Sequence, residues 1–350
     1  MSGTIGLSAP TGMLAALARD SSNIKDRLDV LTQQSASGRV ADTYAGLGGQ
    51  ASVSIDLRPQ LQQIEGWKNN IAAAGPRLQI TQTALQRLSD IASNFATATL
   101  GLATQTSAGV DATAIEAKSA LAEVQSLLNT QLNGIYLFAG QYSVTPPLSN
   151  AALASFVAQT QAPVASLGAV TGVATAAAIQ AAATATPLTA TVGTSRTMAQ
   201  IADGQDVAVG VVAGQNAYAV QSGPATTGSY VKDLVANLAA VAALAGGQTL
   251  QGSNFTDLVT ALGNGMRGTV VALSTEMAGV GAQQAQMTTT ASQLDDQSRA
   301  LTIQISGVED VDLAATATAL TQVQAQLQAS YHLISTLHSL SLVNFLAPGG

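Results

Sequence analysis

Residues Ile305–Leu346 read ISGVEDVDLAATATALTQVQAQLQASYHLISTLHSLSLVNFL. Beyond the acidic group Glu309, Asp310 and Asp312, the apolar positions fall into two seams. Leu313, Leu320, Leu327 and Ile334 stand seven apart, and Thr316, Val323, Ser330 and Leu337 fill the alternate seam. Leu340 and Leu342 carry the apolar character onward. A seven-residue repeat predicts a helix that packs along one stripe against another helix. Acidic residues at its start suit the positive end of a helix dipole.

A matching pattern lies near the other end of the chain. Leu17, Ile24 and Leu31 are spaced by seven, with Ser21, Leu28 and Ser35 between them. Ser37-Gly38-Arg39 and the YAGLGG run after it predict the stop of this helix. A second helical region is expected over about residues 54–102, on Leu57, Ile64, Ile71, Leu78, Leu85 and Ala92. Pro59 fits a first turn, and Gly75-Pro76 predicts a kink or break. A third helix is expected over Asp111–Leu132, with Ile115, Leu121, Val124 and Leu128 on its stripe and Asn133-Gly134 as its stop. Helical periodicity returns after Asn254 on Leu262, Met266, Val270, Leu273, Met277 and Val280, then Met287, Leu294 and Leu301, with an interruption at Ser306-Gly307.

Between these blocks the texture changes. The longest stretch without Asp, Glu, Lys or Arg runs from Val124 to Ser195. Residues 151–185 are rich in Ala and Thr and compatible with short helices, loops or linker. The strand signal is DVAVGVVAGQNAYAVQ, Asp206–Gln221, two apolar runs around a turn at Ala213–Asn216. The expected fold is therefore mainly α with an inserted β-containing domain. The N- and C-terminal regions would form a long antiparallel helical bundle or coiled coil. Residues 1–40 and 313–350 would be the terminal helices, 41–140 and 255–312 a helical rod, and 141–254 the inserted domain.

Composition narrows the function. Of 350 residues only 9% are charged, thirteen basic against twenty acidic for a net charge of −7. Few cations are available to displace counterions from phosphates, which argues against nucleic-acid binding. The absence of cysteine excludes disulfides and thiolate metal sites. Mean hydropathy is positive, yet the most apolar charge-poor segment, Val164–Ala185, is built of small residues, so no membrane insertion is expected. The first charge is Arg19 and no basic n-region precedes it. Such a start predicts a cytoplasmic protein, or one exported without a cleaved signal.

Chemistry-bearing motifs are scarce. His332 and His338 are six apart, which puts them on different helix faces, whereas metal ligands on one face stand three or four apart. Asp295-Asp296 and the Glu309/Asp310/Asp312 group could bind a cation, but the second lacks the Gly and distal Glu of a calcium loop, and capping and solvation of a helix end is the better reading. Asp203-Gly204 and Asp206 read as a turn before a strand. No catalytic, cofactor or metal residues are assigned, and none is expected. The sharp features are the apolar stripes, which suit either an intramolecular helical hairpin or packing in an assembly.

Three stretches resemble the flagellin superfamily, and most closely the hook-associated protein 3 family of the hook–filament junction. They are LDVLTQQSASGRV at Leu28–Val40, LLNTQLNGIYLFAGQ at Leu127–Gln141, and Ile305–Leu346 with its LSLVNFL ending. The Tyr136–Gly140 run and that ending are similar to the junction proteins more than to flagellin. The Asp-Asp-Pro that follows the family's N-terminal helix is replaced here by Ala41–Ser52, ADTYAGLGGQAS. The resemblance implies a non-enzymatic adaptor in the extracellular flagellum, exported unfolded through the type III pathway. It implies hook-associated protein 1, flagellin, a ring of its own copies and an export chaperone as partners. It also implies that the inserted domain faces outward. A short flagellin building the filament is the alternative, and a secreted hydrolase or adhesin the remote one. The residues expected at the assembly interface are Leu17, Ile24, Leu28, Leu31, Leu320, Val323, Leu327, Ile334, Leu337, Leu340 and Leu342.

Overall fold

The computed structural model describes the backbone of residues 9–141, 144–189 and 195–346, and the side chains of 15–141, 144–189 and 195–336. It is mainly helical and divides into two compact units. One holds both chain ends, up to Gln63 and from Asp296, and the other runs from Ile64 to Asp295.

The first unit is built on α1 (Ala9–Ser37) and α8 (Leu313–Leu346), which pack side by side. Gly38 ends α1 in the left-handed conformation, φ +71°, where a Cβ would be strained. At the start of α8, a carboxylate oxygen of Asp312 accepts from the amides of Ala314 (2.9 Å) and Ala315 (3.1 Å). Two of the orphan amides of that helix end are thereby satisfied. The first turns of α2 (Ala51–Gly101) and the last turns of α7 (Ser253–Glu309) complete this unit.

At the centre of the second unit lies α6 (Tyr230–Ala242), buried on almost every side. Around it pack α3 (Ser107–Leu128), α4 (Asn150–Gln161) and α5 (Gly172–Ala185). All four of these helices start on a hydroxyl cap: Thr106 for α3, Ser149 for α4, Thr171 for α5 and Ser229 for α6. The strands are short: β1 (Gln131–Leu132) with β2 (Ile135–Tyr136), and β3 (Met198–Ala202) with β4 (Gln205–Ala208), both pairs antiparallel.

Several sequence-based expectations are corrected. Gly75-Pro76 does not break α2, which runs on through it. Gly75 lacks the Cβ that a following proline ring would crowd, and Ala74 and Leu78 are buried on either side. Likewise α7 continues through Ser306-Gly307 to Glu309. Asn133-Gly134 is not a helix stop. Both residues take positive φ, 54° and 78°, and form the turn of the β1–β2 hairpin, so α3 ends earlier at Leu128. Ile115 is 64% exposed, because α3 buries the row Val110, Ala114, Ala117, Leu121, Val124 and Leu128 instead. The expected hairpin around Ala213–Asn216 is reduced to a turn closed by a single antiparallel bridge between Val212 and Gln215, and a longer hairpin, β3–β4, turns at Asp203-Gly204. Residues 207–213 are all buried instead of alternating.

Candidate assembly interface

The residues expected at the interface all lie on the α1–α8 pair. Ser21, Thr316, Val323 and Ser330 are buried in it. These are mostly small side chains, which let two helix axes approach closely. Leu17, Ile24, Leu28, Leu31, Leu320, Leu327 and Ile334 flank them and are only half-buried. Two isolated helices can cover one stripe of each other and no more. Leu337, Leu340 and Leu342 lie on α8, but their side chains fall outside the described residues, as does that of His338. Further apolar side chains point outward from the same helices: Val30, Leu313, Tyr331 and Leu333 are each more than half exposed.

Where α1 and α8 join their neighbours, the structure reveals a site the sequence did not suggest. Glu309 is buried instead of solvating a helix end. Its carboxylate accepts from Arg58 twice, from Nε at 2.8 Å and from Nη2 at 2.5 Å, and also from the Ser54 hydroxyl. Arg58 and Ser54 together hold the Glu309 carboxyl below the usual carboxylate range, and Glu309 in turn raises the guanidinium. No local signal could have found this cluster, because its two charges are 251 positions apart.

A second buried carboxylate was missed in the other unit. Glu276 on α7 accepts three consecutive amides, from Ala217, Tyr218 and Ala219, at 2.8–2.9 Å. A signal for it existed. The buried row of α7 is Leu262, Met266, Thr269, Leu273, Glu276 and Val280, in steps of three and four, so Glu276 stands on the apolar stripe itself. Arg196 lies 5.0 Å over the ring of Tyr218 beside it. Burial raises the phenol pKa of Tyr218 and of the nearby Tyr230.

Among the described residues no group of His, Cys, Asp and Glu is placed to hold a metal, and no helix is long and apolar enough to cross a membrane. The architecture is that of a helical protein in which α1 and α8, from opposite ends of the sequence, pair in one unit and the intervening residues form another. The chain belongs to the bacterial flagellin family. Residues 11–143 match the bacterial flagellin N-terminal helical region and residues 266–346 the C-terminal helical region, together more than half the chain. It is thus a flagellin-type structural protein of the flagellum. No curated protein matches the sequence. A solved structure assigned as a flagellar hook-associated protein of Vibrio parahaemolyticus shares the fold, with a TM-score of 0.55 and 14% identity over 77% of this chain and 99% of that one. Bacillus cereus FlgL overlaps with a TM-score of 0.46 and 17% identity, over 72% of this chain and 99% of that one.

Proposed function

We propose that the chain is the adaptor between hook and filament, seated on hook-associated protein 1 and presenting a flagellin-like surface to the first filament subunits. The observation that carries an assembly role is the half-buried seam. Seven apolar side chains on α1 and α8 are left with one side uncovered, and helices of other copies or partners would cover it. The junction position rests on the resemblance of Tyr136–Gly140 and Ile305–Leu346 to junction proteins. In this reading residues 1–40 and 313–350 are the assembly region, 41–140 and 255–312 a rod, and 141–254 an outward domain. The chain is non-enzymatic, travels with an export chaperone and leaves the cell without a cleaved signal.

The test is abundance and position. Quantitative mass spectrometry of sheared flagella should find this chain as a trace component at one end, and a deletion strain should carry hooks without filaments. If the chain is instead the major protein of the filament, it is a short flagellin and the adaptor reading fails.

A further inference from the structure

Two connections attach the α1–α8 pair to the rest of its unit, residues 38–50 between α1 and α2 and residues 310–312 between α7 and α8. They hold each other as a minimal antiparallel ladder. The Val40 amide donates to the Glu309 carbonyl at 2.7 Å, the Val311 amide donates to the Gly38 carbonyl at 3.0 Å, and Arg39 stands opposite Asp310. Glu309 therefore acts twice. Its backbone holds the α1–α2 connector, while its buried carboxylate holds Ser54 and Arg58 on α2. One residue ties together the end of α7, the approach to α8, the exit from α1 and the start of α2.

We propose that Ser54, Arg58 and Glu309 form a latch that fixes the α1–α8 hairpin to α2 and α7, and that neutralising Glu309 opens it. Two backbone bonds, one of them to the last residue of α7, are a weak fastening by themselves. Ser54 is fully buried against the carboxylate, so an opened latch leaves a hydroxyl and a guanidinium without their acceptor. The charged and titratable groups around Glu309 are Arg58 from α2, Arg39, Asp42 and Tyr44 from the α1–α2 connection, and Asp310 next in sequence. The two arginines favour the ionised carboxylate. A pocket of about 390 Å³ lined by Arg39, Asp42, Tyr44, Arg58 and Glu309 adjoins the cluster and gives solvent a path to it. The latch is therefore closed at neutral pH and opens as pH falls through the depressed Glu309 value. This inference is independent of which flagellar position the chain occupies.

Amide hydrogen exchange on the full-length protein tests it. In Glu309→Gln, peptides carrying Val40 and Val311 should exchange about tenfold faster or more at pH 7. Peptides over residues 216–220, held by Glu276, should stay at the wild-type rate. After correction for intrinsic exchange, the wild type should lose the same protection on acidification, and the variant should show no such step. Unchanged protection at both connectors in Glu309→Gln overturns the latch. If that variant loses its helical circular dichroism, Ser54→Ala replaces it. A smaller acceleration confined to the same two peptides then supports the latch, and no acceleration overturns it.

Discussion

One oxygen of Glu276 receives three backbone amides in a row, while its other oxygen, like the hydroxyl of Tyr230, is buried with no hydrogen-bond partner among the described residues. Residues 217–219 have no helix or strand of their own to satisfy those amides, so the carboxylate does what a ladder would do elsewhere. Glu276→Ala leaves three amide donors, one buried and two partly buried, without their acceptor and should cost about 2 kcal/mol of unfolding free energy. Glu276→Gln keeps an acceptor oxygen and should cost clearly less. Urea titration of the full chain separates the two, and equal costs would mean that packing matters more than the amide bonds. Gly279, one turn further on, leaves the space that the Tyr218 ring fills, so the same loop is held by a bond on one side and by shape on the other.

At the scale of elements, α5 meets α7 with almost no room. A Cβ built on Gly172 would fall on the carbonyl of Asn254 and lie 2.8 Å from the amide of Leu258, both backbone atoms that cannot swing aside. Gly172→Ala should therefore destabilise the chain by about 1–3 kcal/mol. Gly281, inside α7 with nothing within 4 Å, is the opposite case. Gly281→Ala should stabilise by about 0.5–1 kcal/mol, since alanine loses less backbone freedom in a helix. Thermal or denaturant unfolding of the two variants should move in opposite directions. These elements also show what periodicity can reveal. The expected final helix from Leu313 and the stop at Ser37–Arg39 are where the structure puts them, because an amphipathic stripe and a terminal glycine are local signals. Of Asp206–Gln221 only the first residues join a strand, β4, because the amides of residues 217–219 go to the Glu276 carboxylate and not to a ladder, which no local pattern shows. The α3 stripe was misread because alanine lines its core face and the larger Ile115 faces out. Of the α1–α8 pairing, the buried Thr316, Val323 and Ser330 were legible as a seven-residue seam. The Arg58–Glu309 cluster was not, since only the fold brings its partners together.

At the scale of the whole molecule, the low charge takes on a physical meaning. A chain with 9% charged residues has little with which to keep its helix surfaces solvated, and α1 and α8 leave Leu17, Ile24, Leu28, Leu31, Leu320, Leu327 and Ile334 half-covered. Surfaces of that kind persist when the neighbouring medium is other protein. The double change Leu327→Asp and Ile334→Asp tests this directly. Each substitution removes an apolar side chain whose full burial is worth about 1.5–3 kcal/mol. In the free chain both positions already touch water, so the carboxylates can stay hydrated and only part of that value is lost. In an assembly, where the seam is closed over, the same carboxylates would be stripped of water without a partner, which costs far more. The variant should thus keep nearly all its helical circular dichroism and its wild-type protection at residues 216–220. It should nevertheless fail to appear on hook ends by immunogold electron microscopy, in cells that secrete it at the normal level. Normal filaments growing on hooks capped by the double variant would show that this face of α8 takes no part in assembly.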